Sequence, residues 1–245
     1  GRAGYGTIDE YLQDLDIGAI RAALSAFEVP GDFDGFALGC LDHGAAPPDV
    51  SDRVFRFEHL RRVVEGRNDL LAFATDASAL PHYLTRARAM CGSAAGQGPV
   101  VFMDTGPAAA LGALHDERVG GAAESLVMNL GNMHLLAFHL RGRRIASLFE
   151  HHTGEVTSEQ IESFAMQLCA GTHADRSLVR PAVPATVAAT GPRRVKIRET
   201  ALAPYFAAPL GDMMIGGCFG LLRGFGECNP AAGEAIASRL GPVPG

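Results

Sequence analysis

The stretch SLVMNLGNMHLLAFHLRGRRIASLFEHHT, from Ser125 to Thr153, decides how this chain folds. It contains three apolar runs of strand length, which are separated by Gly131-Asn132 and by Arg141-Gly142-Arg143. Short breaks that contain glycine between such runs are typical of β-hairpins. The stretch therefore predicts an antiparallel meander of three strands.

Helices and strands alternate on both sides of this meander. Apolar residues at helical spacing predict helices over residues 16–27, 57–65, 79–90, 108–116 and 158–170. Short apolar runs bounded by turn residues predict buried strands over residues 35–41, 100–103 and 186–189. The alternation predicts an α/β protein, with a domain boundary near Gly120-Gly121, where a helix ends and the meander begins.

The composition excludes several classes of protein. The 245 residues carry a formal net charge of −6, which gives no basic face for nucleic acid. No uninterrupted apolar stretch approaches the roughly 20 residues that cross a bilayer. The five cysteines are widely spaced and form no CxxC pair, as expected in a reducing compartment. We therefore expect a cytoplasmic protein with neither a nucleic-acid nor a membrane partner.

The turn between the first two strands of the meander is a candidate phosphate site. It reads NLGNMH, and its candidate ligand-binding residues are Asn129, Gly131, Asn132 and His134. A Gly-Asn turn can point several backbone N–H groups into one concavity that would hold a phosphate. The alternative is an ordinary hairpin turn, in which these residues only supply positive φ angles.

A second candidate is a metal site at the end of the meander. Glu150, His151 and His152 are consecutive, and His134 lies in the same predicted sheet. Imidazole and carboxylate groups are ligands of divalent transition metals. Adjacent residues of a strand face opposite sides, so the alternative is that these histidines cap the sheet.

Two polar turns follow predicted strands and are candidate catalytic sites. Asp42-His43 follows the first strand, and Asp104 follows the strand over residues 100–103. Ligands bind at strand C-termini in open α/β sheets, so these side chains are candidates for a general base or a magnesium anchor. The alternative for the aspartates is a helix N-cap.

Four segments together resemble one known family. They are MDTGPAAALGALHD (103–116), NLGNMHLLAFHL (129–140), LFEHHTG (148–154) and PLGDMMIGGCFGLL (209–222). The chain is similar to the prokaryotic family labelled "putative pyruvate formate-lyase activating enzyme". That family belongs with the superfamily of acetate kinases, sugar kinases, heat-shock chaperones and actin.

The resemblance implies a two-lobed, actin-like ATPase fold of the ribonuclease H-like type. Residues 1–120 would be the remainder of the first lobe, and residues 121–245 the second lobe. Asn129 to His134 would form the second phosphate hairpin, and Thr190-Gly191-Pro192 would contact adenosine. The implied cofactor is ATP or ADP with Mg²⁺.

The implied function is an ATP-binding phosphotransferase or ATPase that acts on a small-molecule or protein substrate. Its family label also implies an enzyme activator. The alternative is a non-catalytic nucleotide or metal sensor, and a homodimer is compatible with either.

Three features depart from the family and superfamily patterns. Asn129 stands where the superfamily usually has Asp, and the chain contains no DxGxGT-type first phosphate hairpin. The chain also starts without Met, amid the turn-rich residues 1–6, so we expect a fragment of a longer protein. The cysteine run that binds the iron–sulfur cluster of a radical activating enzyme is absent.

Overall fold

The computed structural model describes residues 13–170 and 183–242. Its helices are α1 (Ile17–Ala26), α2 (Asp52–Gly66), α3 (Thr85–Gly92), α4 (Thr105–Ala113), α5 (Glu117–Gly120), α6 (Ser158–Ala170), α7 (Gly216–Cys228) and α8 (Pro230–Leu240). Its strands are β1 (Phe36–Leu38), β2 (Ala74–Asp76), β3 (Val100–Met103), β4 (Glu124–Leu130), β5 (His134–Arg141), β6 (Arg144–His152), β7 (Thr186–Thr190) and β8 (Tyr205–Phe206). The mixed α/β class is confirmed. Residues 1–6 lie outside the described part.

The strands form two mixed sheets. The first has the order β1-β3-β2, with β1 parallel and β2 antiparallel to β3. The second has the order β6-β5-β4-β7-β8 and contains the predicted meander as its antiparallel half. β7 then pairs in parallel with β4, and β8 pairs in parallel with β7. The predicted boundary near residue 120 falls between the two sheets, and the division into two lobes stays a prediction.

The helix α6 has the bounds that the sequence predicts. The Thr157 hydroxyl accepts from the Gln160 N–H at 3.2 Å, and the Gln160 amide oxygen accepts from the Thr157 N–H at 2.8 Å. This reciprocal capping box fixes the start of the helix. Ile161 and Ala165 are buried against the sheet, as their spacing predicts.

Other helices differ from the predictions for local reasons. The single helix predicted over residues 79–90 is interrupted, because Pro81 follows a 3-10 turn (Ala77–Ala79) and α3 begins only at Thr85. In α1 only Ile17 of the predicted apolar face is buried, while Phe27 is 81% exposed. The sequence did not predict α7, since its many glycines have low helix propensity. In the described residues no helix is both long and apolar enough to cross a membrane.

Glycines let α7 pack directly against the backbone of α4. A Cβ at Gly220 would overlap the carbonyl oxygen of Ala108, and one at Gly112 would overlap that of Gly216. Gly112 of α4 and Gly220 of α7 are both buried at this contact. The close approach fixes α4 between α7 and the second sheet, and it therefore fixes where the first turn of α4 points.

We expect Gly220→Ala to lower the free energy of unfolding by about 1–3 kcal/mol, because backbone atoms must move to admit the methyl group. Gly217→Ala is the matched control in the same helix, since a Cβ there has no neighbour within 4 Å. The control should be neutral or stabilise by about 0.5–1 kcal/mol through helix propensity. Urea unfolding measures both. Equal stabilities of the two variants would contradict the close helix contact.

Candidate functional site

The polar residues of the meander gather at one end of the five-stranded sheet, on the face that α4 covers. Val127, Phe138 and Leu148 pack in the same apolar cluster as α4. Because side chains alternate along a strand, the same face carries the following polar residues. They are Asn129, His134, Glu150, His152 and Thr190. Register pairs Asn129 with Thr190, and His134 with His152.

Arg56 connects this sheet end to the rest of the site. It lies in α2 and is 3% exposed. Its Nη2 lies 2.5 Å from Asp104 Oδ2, and its Nε donates to Glu150 Oε2 at 3.0 Å. Its Nη1 donates to the carbonyl oxygen of Asp42 at 3.3 Å. One buried guanidinium thus brings together three residues that the sequence analysis placed in separate candidate sites.

Sequence reasoning missed Arg56, which is one of several arginines in α2. A usable signal existed. Arg56 lies four residues before Leu60, which is fully buried, so both occupy the same face of the helix. An arginine on a buried helix face is almost always paired with an acid.

The two carboxylates that share Arg56 respond in opposite ways. Burial raises the pKa of Asp104, although the Arg56 guanidinium and the Gly106 N–H oppose that shift. Burial would also raise the pKa of Glu150, but hydrogen bonding by His134 and the charge of Arg56 outweigh it and lower that pKa. Burial therefore opposes ionisation of both carboxylates, and only at Glu150 do the neighbouring groups outweigh it.

Both aspartates also order backbone. Asp104 is the N-cap of α4, and its Oδ1 accepts from the Gly106 N–H at 3.0 Å. Asp42 accepts from the Gly44 N–H at 2.8 Å and from the Ala87 N–H, in the first turn of α3, at 2.9 Å. Both oxygens of Asp42 are thus occupied by backbone donors. Asp104 thus has the position of the capping alternative, whereas Asp42 is not the N-cap residue of a helix and binds the first turn of α3 from a distant part of the sequence.

Three imidazoles lie close together beside Glu150. His134 Nδ1 is 3.1 Å from Glu150 Oε1, and the His134 ring centroid is 4.8 Å from that of His43 and 5.4 Å from that of His152. His151 faces the other way and stacks on Phe164 of α6. His43 is thereby placed next to the meander, as a ligand site at the end of β1 requires.

The expected metal site of His134, Glu150, His151 and His152 is not assembled. Among residues 13–170 and 183–242, no group of three or more His, Cys, Asp or Glu is arranged to hold a metal ion. His151 lies on the opposite face of the sheet, and both oxygens of Glu150 already face Arg56 and His134. Strand alternation therefore outweighs the closeness of these residues in the sequence.

The turn of the candidate phosphate site needs glycine for a different reason than expected. The φ of Gly131 lies outside the left-handed region, so the expectation of a positive φ is wrong. A Cβ at Gly131 would instead lie 2.8 Å from the carbonyl oxygen of His134. That oxygen accepts from the Gly131 N–H at 2.9 Å, which leaves Asn132 and Met133 as the exposed tip of the turn.

The segment Thr190-Gly191-Pro192 lies directly beside the end of β4. Gly191 has a φ of +91°, and a Cβ there would lie 2.8 Å from Asn129 Oδ1. The Arg193 N–H donates to the carbonyl oxygen of Leu130 at 3.0 Å. The sequence-predicted residues Asn129, Thr190 and Gly191 are thus brought together.

Two adjoining cavities open at this end of the sheet. The smaller cavity, of about 220 Å³, lies between the first turn of α4 and the turn of residues 131–134, and Asn129 and Glu150 also line it. The larger cavity, of about 390 Å³, is lined by His43, Arg53, Phe57 and His152 among others. Met133, His134 and Glu150 line both cavities.

A family model matches residues 6–180, which include the meander and every charged residue of the Arg56 cluster. The chain belongs to that family. The family is described as "Putative pyruvate format-lyase activating enzyme (DUF1786)". No curated protein and no solved structure matches the chain. The DUF1786 match ends before Thr190, so the segment beside Asn129 lies outside it.

We expect Arg56→Met to lower the free energy of unfolding by about 3–5 kcal/mol, because it leaves two buried carboxylates without their cation. Arg62→Met is the matched control on the same helix, where Arg62 pairs with Glu58 at the surface. Its expected cost is about 0–1 kcal/mol. Chemical unfolding near neutral pH measures both values. A cost for Arg56→Met as small as that of the control would contradict the role of Arg56.

The pH dependence of stability should contain a contribution from His59 in α2. Burial lowers the pKa of His59 from 6.5 to about 4, and the Arg56 charge adds to the shift. The unfolded chain binds a proton below about pH 6.5 that the folded chain rejects, so stability rises with pH across this window. We expect the rise in unfolding free energy between about pH 5 and about pH 7 to be larger in the wild type than in His59→Gln. An equal rise in both proteins would contradict a neutral His59.

Proposed function

We propose that this chain binds the phosphates of ATP or ADP with Mg²⁺, as part of an ATPase or phosphotransferase with a two-lobed actin-like fold. One observation carries the proposal. The first turn of α4 and the turn of residues 131–134 face the same small cavity. Backbone N–H groups at a helix start and in a tight turn are the groups that bind phosphate.

The first turn of α4 supplies one side of the proposed phosphate site. Asp104 occupies the Gly106 N–H with its side chain and the Ala108 N–H with its carbonyl oxygen, and Pro107 has no N–H. Thr105 is exposed and lines the cavity, and in the proposal its N–H and hydroxyl bind the phosphate. The partial positive charge of the helix start adds to that attraction.

The order of strands in the second sheet supports the actin-like assignment. The resemblance implies that the second lobe contains a phosphate hairpin at Asn129 to His134 and an adenosine segment at Thr190-Gly191-Pro192. The turn between β4 and β5 has the position of that hairpin, and β7, which follows α6 and pairs in parallel with β4, leads into that segment. In the proposal, Asn129 to His134 holds phosphate and Thr190-Gly191-Pro192 contacts adenosine.

The proposal includes Mg²⁺ for an electrostatic reason. Two carboxylates, Asp104 and Glu150, share the single guanidinium of Arg56 beside the proposed phosphate position. That guanidinium is already paired, so it is not free to neutralise a nucleotide phosphate, and in the proposal Mg²⁺ supplies the positive charge. Asn129 is neutral and adds no charge of its own.

The family's label suggests a radical enzyme with an iron–sulfur cluster, but the cysteines of this chain do not fit the ligands of such a cluster. The cysteines of the chain lie far apart in sequence and are free. Burial raises the pKa of Cys40 to about 12 and that of Cys91 to about 11, whereas cluster ligands are thiolates. We therefore take the label to mean at most an activator that uses a nucleotide.

A non-catalytic nucleotide sensor is the second candidate. The observation that favours it is that both oxygens of Asp42 accept backbone hydrogen bonds, while Asp104 is held by Arg56 and Gly106. Neither aspartate then has a free oxygen for a water or an acceptor hydroxyl. The two candidates share the nucleotide site and differ in whether ATP is turned over.

The sharpest test of nucleotide binding is Thr105→Glu. An acidic residue in the first turn of a helix favours the helix, so the fold should keep its melting temperature. The same charge repels a phosphate in the cavity, and we expect the affinity for MgADP to fall by about tenfold or more. Isothermal titration calorimetry measures the affinity.

Thr105→Gln is the matched control, since it has the size of glutamate without the charge. It should weaken MgADP binding much less than Thr105→Glu does. Equal MgADP affinity in the glutamate and glutamine variants would contradict a phosphate at α4, and so would a wild-type protein that binds no MgADP.

A further inference from the structure

His134 occupies the boundary between the two cavities. It lines both the smaller cavity, where we place the phosphates, and the larger one, which is open to a second reactant. Its side chain is 21% exposed, so it is accessible without being free in solvent. A residue in this position touches both reactants of a group transfer.

The chemistry of Glu150 decides which ring nitrogen of His134 carries the proton. The lowered pKa of Glu150 and its ion pair with Arg56 keep this carboxylate ionised, and an ionised carboxylate only accepts hydrogen bonds. His134 Nδ1 lies 3.1 Å from Glu150 Oε1, so Nδ1 is the ring nitrogen whose proton this carboxylate attracts. In the neutral imidazole the lone pair is then on Nε2.

The remainder of the cluster holds this pair in place. Glu150 Oε2 accepts from Arg56 Nε at 3.0 Å, and Arg56 is itself anchored by Asp104. Glu150 thus cannot rotate away from the imidazole without breaking a buried ion pair. A histidine oriented by a carboxylate that is itself held by a third group is the arrangement of a general base.

We propose that His134 is the catalytic base of this site, with Nε2 facing a hydroxyl or water in the larger cavity. Nε2 takes the proton of that hydroxyl as its oxygen attacks the terminal phosphorus of a nucleoside triphosphate. The bond from that phosphorus to the bridging oxygen breaks, and its electron pair leaves with the nucleoside diphosphate. The proton remains on His134, and Glu150 stabilises the imidazolium that results.

This inference rests on the proposed nucleotide site, and it supplies the base that Asp42 and Asp104 are not free to provide. Arg56, Glu150 and Asp104 are positioning residues in this proposal, because Glu150 orients His134 and is itself held by Arg56, which Asp104 anchors.

The first experiment reads the proton directly and needs no turnover. Long-range ¹H–¹⁵N correlation spectra of protein labelled with ¹⁵N-histidine report the tautomer of each neutral imidazole. His134→Asn identifies the signals of His134 by their loss. We expect the proton on Nδ1 of His134. A proton on Nε2 would overturn the proposal whether or not the protein binds nucleotide.

The second experiment separates binding from chemistry with the same variant. The asparagine amide can still donate to Glu150 from the Nδ1 position, but nothing replaces Nε2. We expect His134→Asn to bind MgATP within about threefold of the wild type and to release phosphate from it about 10²- to 10⁴-fold more slowly.

His139→Asn is the matched control, because His139 also pairs with a glutamate, Glu124, at 2.8 Å on the same strand but away from both cavities. It should keep wild-type turnover. Wild-type turnover in His134→Asn would overturn the proposal that His134 is the base. A wild-type protein that binds MgATP without hydrolysing it would overturn it too. In both cases the proposed nucleotide site stands. A wild type that binds no MgATP overturns the proposed function instead.

Discussion

The buried guanidinium of Arg56 is the interaction on which the rest of the site depends. It comes from α2 and meets Asp104 at the start of α4, Glu150 near the end of β6 and the carbonyl oxygen of Asp42 after β1. Four segments from distant parts of the sequence are thus fixed by one side chain. Taking these charges out of water is expensive, so the cluster persists only because each group finds its partner. The result is a set of polar groups held in place before any ligand arrives.

Close backbone contacts add a second constraint. The glycines at the α4–α7 contact, at residue 131 and at residue 191 each lie where a side chain would overlap backbone or polar atoms. These contacts place the first turn of α4 and the turn of residues 131–134 around one cavity, and the end of β7 beside Asn129. A cavity between a helix start and a tight turn suits a ligand that is recognised by backbone N–H groups, and phosphate is such a ligand.

Much of the fold could be predicted from the sequence where the pattern is local. The meander and α6 have clear periodicity and clear punctuation by glycine or a capping box, and both are confirmed. α7 could not be predicted, because its glycines serve packing against α4 and not helix propensity. The apolar face predicted for α1 is mostly exposed, because the spacing of apolar residues predicts that a helix has such a face but not that another element covers it.

The candidate site was predictable only in part. Strand ends and turns pointed to Asp42, Asp104, Glu150 and His134, yet the sequence divided them among a catalytic, a metal and a phosphate site. What joins them is an arginine 94 residues away from Glu150 in the chain, and no local pattern reports such a contact. The four residues of the metal hypothesis are not brought together in the described part of the chain, because His151 faces away from His134, Glu150 and His152, as strand alternation in the sequence already indicates.

The most direct test of the central claim is a crystal structure of the protein with MgADP. We expect the phosphates in the smaller cavity, within hydrogen-bond distance of Thr105 and of backbone N–H groups in the turn of residues 131–134. Nucleotide bound elsewhere on the protein, with this cavity unoccupied, would contradict it.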